Sequence, residues 1–141
     1  MSVCRSLPIV LLLLFGCSDT DRLRIFASMG NAEAQSALGA RYCDGKGVPK
    51  DAAEAVEWYR KAAEQGDTDA QSSLGVAYHN GDGVPKDLVQ AHMWFNLAAA
   101  SGVKGAAETR RKAESQMTKE QVAEAEKLAR AWYEAHRGEK K

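Results

Sequence analysis

Apolar residues recur at helical spacing in two successive segments of the chain. Ala34, Leu38 and Tyr42 lie four residues apart, so their side chains share one face of a predicted helix. The next segment has the i, i+3, i+4, i+7 spacing of a second helix, at Ala55, Trp58, Tyr59 and Ala62. Glu57 and Lys61 fall on the polar side of this helix, in the spacing of an i, i+4 ion pair.

A short loop, "GKGVPKD" at residues 45–51, separates the two predicted helices. Its two glycines allow positive φ, and Pro49 stiffens the loop. Asp51 is placed to cap the second helix through its side-chain oxygen. Gly39, in the first helix, allows a neighbouring helix to approach closely.

The same pattern returns 36 residues later. "GDGVPKD" at residues 81–87 matches the first loop, and Leu74-Gly75 matches Leu38-Gly39. A period of this length with two helical segments per copy is typical of an α/α solenoid. The pattern therefore predicts an all-α fold of short helix-turn-helix repeats.

Residues 30–102 resemble the Sel-one-like repeat (SLR) family, a solenoid relative of the tetratricopeptide repeat (TPR). The resemblance rests on "AQSALGARYCDGKGVPKDAAEAVEWYRKAAEQG" and "AQSSLGVAYHNGDGVPKDLVQAHMWFNLAAASG". Leu-Gly-x-x-Tyr, Gly-x-Gly-Val-x-x-Asp and Trp-Tyr-x-x-Ala-Ala follow in order in both copies, with Phe for Tyr in the second. The resemblance implies a right-handed superhelical solenoid that binds other proteins.

Both flanks of the repeats are predicted to be partial repeats. Upstream, Phe26 aligns with Ala62, which predicts a remnant second helix that covers the first repeat. Downstream, Arg110 stands where a leucine should be, so the third copy has diverged into a cap that ends in a helix with Thr118 in capping-box position. The predicted segments are a signal peptide (1–16), a tether with a partial helix (17–29), repeat 1 (30–65), repeat 2 (66–101) and a degenerate repeat with a capping helix (102–138).

The N-terminal segment has the order of a secretory signal: Arg5, then an apolar run at residues 7–15, then Gly16. This run is too short to cross a bilayer, which needs roughly 20 apolar residues. The stretch "LFGC" resembles the lipobox of bacterial lipoproteins, which implies a lipid anchor on Cys17. By the same resemblance, Ser18 favours the outer membrane, facing the periplasm. The alternative is ordinary signal cleavage and a soluble periplasmic protein.

Charge and cysteine content argue against a nucleic-acid partner and against a structural disulfide. The chain of 141 residues has 19 basic and 19 acidic side chains, so no net charge holds nucleic acid, and we expect no such partner. Cys4 would leave with the signal and Cys17 would carry lipid, which leaves Cys43 without a disulfide partner. We expect Cys43 to be a half-buried small hydrophobe, with a reactive thiol as the alternative.

The first helix of each repeat is expected to line a concave groove, on the side opposite the face that packs in the core. The helical wheel directs a small, polar and mildly acidic set of residues to this groove: Glu33, Ser36, Ala40 and Cys43 in repeat 1, and Asp69, Ser72, Val76, His79 and Asn80 in repeat 2. This mixture suits an extended peptide or a helix of another protein better than a buried cofactor. For each single residue the alternative is plain solvent exposure.

Repeat 2 carries a second apolar stripe that repeat 1 lacks. Met93, Leu97 and Ala100 replace Glu57, Lys61 and Glu64. One interpretation is that the C-terminal helix packs on this stripe. The other is a homodimer or partner interface.

Motifs of catalysis and metal binding are scarce in this sequence. It has no Gly-x-Ser-x-Gly, no His-Glu-x-x-His and no Walker loop. "NGDGVPKD" lacks the glutamate that ends a calcium loop, because Ala91 takes that position. The three histidines lie in separate helices without zinc spacing, and we expect His92 at a helix surface. We therefore expect no metal and no cofactor.

The predicted function is a non-catalytic adaptor, tethered by lipid to the cell envelope, that binds a peptide or protein. Because two repeats are few for tight binding, a dimer or a subunit of an envelope complex is an alternative. Cysteine-rich relatives have been associated with penicillin binding or β-lactam hydrolysis, which makes such an enzyme the remaining alternative. The disulfides of those relatives are missing, since alanines stand where the cysteines are expected: Ala34, Ala62, Ala63, Ala70, Ala98 and Ala99.

Overall fold

The computed structural model describes residues 16–138, and these form seven helices and no strand. The helices are α1 (Asp19–Ser28), α2 (Ala32–Asp44), α3 (Ala52–Glu64), α4 (Thr68–Asn80), α5 (Leu88–Ala100), α6 (Ala106–Glu114) and α7 (Lys119–Ala135). The starts of α2 and α4, at 32 and 68, keep the 36-residue period, as do those of α3 and α5, at 52 and 88. The predicted all-α class is confirmed.

The chain divides after Asp67 into two compact units. Unit 1 contains α1, α2 and α3, and unit 2 contains α4 to α7. The boundary lies two residues after the predicted start of repeat 2, at the first residue of α4, so each unit holds the first and the second helix of one repeat.

In unit 1, α2 packs against both α1 and α3. Its core is a cluster of Ala27, Ala34 and Leu38, against which Leu23, Tyr42 and Trp58 pack. The predicted remnant helix upstream of repeat 1 is therefore present as α1, and its Ala27 closes the core. Small residues at these positions let the helices come close, because an alanine-rich core has little side-chain volume to fill the space.

Close contact between α2 and α3 depends on Gly39. A Cβ atom at this position would lie 2.8 Å from Cδ1 and Cε1 of Tyr59, well inside van der Waals contact. Unit 2 repeats the arrangement, since a Cβ at Gly75 would lie 2.7 Å from Cε1 of Phe95. The predicted close approach of the helices is confirmed in both units.

The loop after each first helix ends in the predicted cap. Asp51 accepts a hydrogen bond from the backbone N–H of Glu54 at 3.1 Å, and Asp87 accepts one from Gln90 at 3.1 Å. Gly45 closes α2 in the left-handed conformation, with φ of 71°. These contacts satisfy backbone groups that a helix end leaves without partners.

A buried amide connects all three helices of unit 1. Gln35 Nε2 donates to the carbonyl of Ala27 at 3.0 Å, and Gln65 Nε2 donates to Gln35 Oε1 at 2.7 Å. The surface of α3 differs from the predicted Glu57–Lys61 pair: Glu57 Oε1 binds Arg60 Nη1 at 2.5 Å. Lys61 instead places its ammonium 4.3 Å from the centroid of the Trp58 ring, a cation–π contact.

In unit 2, α5 packs against α4, α6 and α7. Because three helices surround it, most of its side chains are buried: Ala91, His92, Met93, Trp94, Phe95, Leu97 and Ala98. The degenerate third copy forms α6 and α7, and the predicted capping box of Thr118 and Gln121 begins α7. Ala125 and Ala129 are the buried residues of that helix.

Candidate functional site

The predicted binding face of α2 is on the surface of unit 1. Glu33, Ala40 and Cys43 are exposed and Ser36 is half-buried, while Leu38 on the packing face is buried. The exposed Cys43 corrects the expectation of a half-buried thiol, because within residues 16–138 no helix covers the last turn of α2 on that side. Binding of a peptide or protein at this face stays a prediction.

The predicted binding face of α4 is likewise on the surface of unit 2. Asp69, Val76 and Asn80 are exposed, and Ser72 and His79 are half-buried. His79 is held from two sides: Nδ1 lies 3.1 Å from Oδ1 of Asn80, and Nε2 lies 3.3 Å from the amide nitrogen of Gln116. His79 is therefore less available to a partner than the other members of this face.

The second apolar stripe does not form an exposed interface. Met93 and Leu97 are 7% and 1% exposed, and α5 packs against both α6 and α7. Ala100 alone is exposed, at the end of α5. The interpretation of Met93 and Leu97 as a dimer or partner surface is wrong, because the core of unit 2 already uses these side chains.

His92 is a core residue and not the surface residue that was expected. Its side chain is 1% exposed, and Nε2 lies 2.7 Å from Oε1 of Glu114 on α6. Arg110 places Nε 3.4 Å from the same carboxylate oxygen and donates from Nη1 to Asn96 Oδ1 at 3.1 Å. The repeat alignment carried the signal, since His92 takes the place of Val56, which is also buried.

The side chain of Cys17, where the lipid anchor is predicted, is 8% exposed. Attachment of a diacylglyceryl group to its sulfur requires the side chain to leave this buried position. The apolar run at residues 7–15 and Cys4 lie outside the described residues. Within residues 16–138, none of the helices has the length and apolarity needed to cross a membrane.

The spacing Ser-x-x-Lys of serine β-lactamases occurs once, at Ser101 and Lys104. Both residues are exposed in the turn after α5, and Ser101 forms the C-cap of that helix. No hydrogen bond or ion pair holds the lysine in the described part of the chain, so nothing aims its amine at the serine hydroxyl. Among the same residues, no group of three His, Cys, Asp or Glu side chains is arranged to hold a metal ion.

Among the described residues, unit 1 has a surface cavity of about 350 Å³, and unit 2 has another of about 350 Å³. The cavity of unit 1 is mostly apolar and is lined by Leu23, Phe26, Asn31, Glu33, Ala34 and Ala37. The cavity of unit 2 is polar and is lined by Asn96, Arg110, Glu114, Glu126, Ala129, Arg130 and Tyr133. Sequence patterns did not indicate either one, although Glu33 belongs to the predicted binding face.

Two side chains, Arg24 and Tyr133, have shifted pKa values, and Tyr133 lines the cavity of unit 2. Tyr42 accepts a hydrogen bond from Arg24 Nη2 at 3.1 Å, and this bond raises the pKa of the Arg24 guanidinium above its ordinary value. Burial raises the pKa of the Tyr133 phenol. Both shifts keep the groups in the protonated form that they already have at neutral pH.

The two repeats of this chain match a known protein family. The family model of the Sel1 repeat matches residues 32–67 and 68–103, about half of the chain. Each match starts two residues after the predicted repeat, at the first residue of α2 and of α4. No curated protein matches the chain.

Solved structures of several repeat proteins are similar to this chain. A protective antigen of uropathogenic Escherichia coli with an SLR fold is 36% identical, with a TM-score of 0.76 over 89% of this chain and 28% of that one. A Sel1 repeat protein from Oxalobacter formigenes is 36% identical, with a TM-score of 0.63 over 64% of this chain and 37% of that one. This chain thus spans roughly a third of either protein.

A third similar structure is cysteine rich protein B of Helicobacter pylori. It is 26% identical, with a TM-score of 0.61 over 77% of this chain and 81% of that one. All three similarities agree with the helix order and the repeat period described above. The fold is an all-α repeat solenoid.

Proposed function

This chain belongs to the Sel1 repeat family, and on that premise we propose that it is a non-catalytic adaptor for a peptide or protein partner. Repeats of this family are typically modules of protein–protein interaction. The proposal rests on the exposure of one face of α2 and of α4, the first helix of each repeat. None of the nine predicted contact residues on α2 and α4 is buried, while the opposite faces of the same helices supply the cores of the two units.

The second part of the proposal is a lipid tether to the bacterial cell envelope. Its support is the sequence order of Arg5, an apolar run and Cys17, together with the position of Cys17 two residues before α1 begins. A diacylglyceryl group and an amide-linked acyl chain contribute about 0.8 kcal/mol per buried CH₂, which makes such attachment effectively permanent. The tether would hold the adaptor at the outer membrane, facing the periplasm.

Two alternatives have direct tests. A homodimer or a subunit of a larger complex has a higher molar mass than the monomer, which gel filtration with light scattering measures; the soluble periplasmic alternative is separated from the tethered protein by membrane fractionation. A β-lactam-binding or hydrolysing enzyme would convert nitrocefin, and we expect the purified protein to leave it unchanged.

Site-specific photo-crosslinking in cells tests the adaptor function. A photoreactive residue at Ala40 or at Val76, both exposed on the predicted faces, is expected to capture the same partner. The control positions are Ala53 on α3 and Ala123 on α7, which are also exposed but lie on other helices. Capture of one partner from all four positions, or from none, contradicts binding at the first helices.

A further inference from the structure

The cavity of unit 1 has the chemistry of a site for one large apolar side chain. Leu23 and Phe26 of α1 form one wall, and Ala34 and Ala37 of α2 form the other. Its volume of about 350 Å³ falls at the lower end of the range for ligand sites, about 300–1,000 Å³. Small side chains on α2 leave the space that a larger group from outside can fill.

Phe26 lines this cavity without being required by the core. In the two full repeats the same position holds Ala62 and Ala98, both completely buried. Phe26 is 39% exposed, and the neighbouring Ala27 fills the core position. An aromatic ring left partly in water costs solvation free energy that its burial by a partner would recover.

Two polar side chains that line the cavity, Asn31 and Glu33, can still form hydrogen bonds or ion pairs with a ligand. Among the described residues, Glu33 makes no ion pair and no side-chain hydrogen bond. Asn31 Oδ1 accepts from the backbone N–H of Ala34 at 2.7 Å, which leaves the two amide hydrogens of Asn31 as donors. The cavity thus combines an apolar wall, a carboxylate and an amide donor.

We propose that this cavity binds a peptide segment of the partner in which a large apolar side chain is flanked by lysine or arginine. The apolar side chain enters between Phe26 and Ala37. Asn31 donates to a peptide carbonyl, and Glu33 pairs with the basic neighbour. This inference rests on the proposed adaptor function and adds the chemistry of the partner.

Charge decides between this occupant and a lipid surface. Glu33 is repelled by the anionic headgroups of a bacterial membrane but attracts a basic side chain, even though the helix N-terminus offsets part of its charge. An unpaired carboxylate beside an apolar wall therefore favours a basic peptide.

Three synthetic peptides of equal length test the inference, with protein purified from cells that express the full chain. The first has one Phe between two lysines, the second has Ala for the Phe, and the third has Glu for both lysines. NMR titration of labelled protein measures each dissociation constant. The first peptide is expected to bind at least about tenfold more tightly than the second, because a buried aromatic anchor is a typical hot spot.

Protein variants assign the binding to the cavity. Phe26→Ala is expected to weaken binding of the first peptide by about tenfold. Glu33→Gln is expected to weaken it a few-fold and to abolish the preference for Lys over Glu. Met29→Ala is the matched control, since Met29 is exposed just after α1 and does not line the cavity. Equal binding of all three peptides, no binding of any, or an equal loss with Met29→Ala overturns the inference.

Failure of this inference is distinguishable from failure of the adaptor function. If Phe26→Ala still captures the cellular partner while arginines at Ser36, Asp69 and Ser72, which do not line the cavity, abolish capture, the adaptor function stands and the cavity inference is wrong. If neither variant changes capture, both are wrong.

Discussion

Nε2 of His92 lies 2.7 Å from Oε1 of Glu114, and this contact joins the last full repeat to the degenerate copy that follows it. His92 belongs to α5 and Glu114 to α6. Arg110, which replaces the leucine of the repeat pattern, lies 3.4 Å from the same carboxylate and bonds to Asn96. The third copy has therefore exchanged an apolar contact for a polar network on α5.

Removal of the carboxylate should destabilise unit 2. We expect Glu114→Ala to lower the free energy of unfolding by about 1–3 kcal/mol, because it leaves a buried imidazole nitrogen without its partner. Urea unfolding followed by circular dichroism measures the change. Glu124→Ala is the control, since Glu124 is exposed on α7 and should change stability by less than about 0.5 kcal/mol. Equal effects of the two changes would show that the His92 contact has no energetic weight.

A methyl group at Gly39 should also destabilise the protein. Alanine is favoured over glycine in a helix by about 1 kcal/mol, but its Cβ would overlap the Tyr59 ring. Overpacking typically costs about 1–3 kcal/mol, so we expect Gly39→Ala to be net destabilising. Ala40→Gly, at the next position, should cost about 1 kcal/mol through helix propensity alone. A stabilised Gly39→Ala protein would contradict the close packing of α2 and α3.

The Asp51 cap should be sensitive to loss of its side-chain oxygen and not to loss of its charge. Asp51→Ala removes the acceptor for the Glu54 amide and should cost about 0.5–2 kcal/mol. Asp51→Asn keeps an acceptor and should cost much less. The comparison uses the same unfolding measurement. If Asn proves as damaging as Ala, the hydrogen bond does not explain the aspartate in both loops.

Lipid attachment should depend on Cys17. In cells that express the full chain, wild-type protein should fractionate with membranes and show the mass of a lipidated N-terminus, because the acyl chains bury many CH₂ groups. Cys17→Ser should lose both properties, while Cys43→Ser should keep them. Membrane association that survives Cys17→Ser, with no added lipid mass in wild type, would refute the tether.

The helices could be predicted well from the sequence because the same residues recur at the same positions in both repeats. Asp51 and Gly39 have the same roles in repeat 1 as Asp87 and Gly75 in repeat 2, so a single pattern located caps and close contacts in both units. The burial of His92, for which the aligned Val56 was the only sequence signal, was missed, and that of Leu97 was left open, for a different reason. Their environment depends on α6 and α7, whose sequence has lost the repeat pattern, and period alone does not show which helix covers a stripe.

The candidate site was predicted only in part. Helical spacing indicates which residues of α2 and α4 face away from the core. It does not show which of these side chains form hydrogen bonds with other parts of the chain. His79 contacts the adjacent Asn80, but it also contacts Gln116, which lies 37 residues further along the chain. The unit 1 cavity depends on the exposed ring of Phe26, and alignment with Ala62 alone gives no measure of that exposure.

The most direct test of the adaptor function compares partner capture by two variants that each carry four arginines. The first changes Glu33, Ser36, Asp69 and Ser72 on the first helices. The matched control changes Ala53, Glu64, Glu124 and Ala131, which are exposed on α3 and α7 and produce the same change in net charge. Circular dichroism checks that both variants fold, and in-cell crosslinking with mass spectrometry measures capture. We expect wild type and control to capture one envelope partner that the first variant loses; unchanged capture by the first variant would contradict binding at α2 and α4.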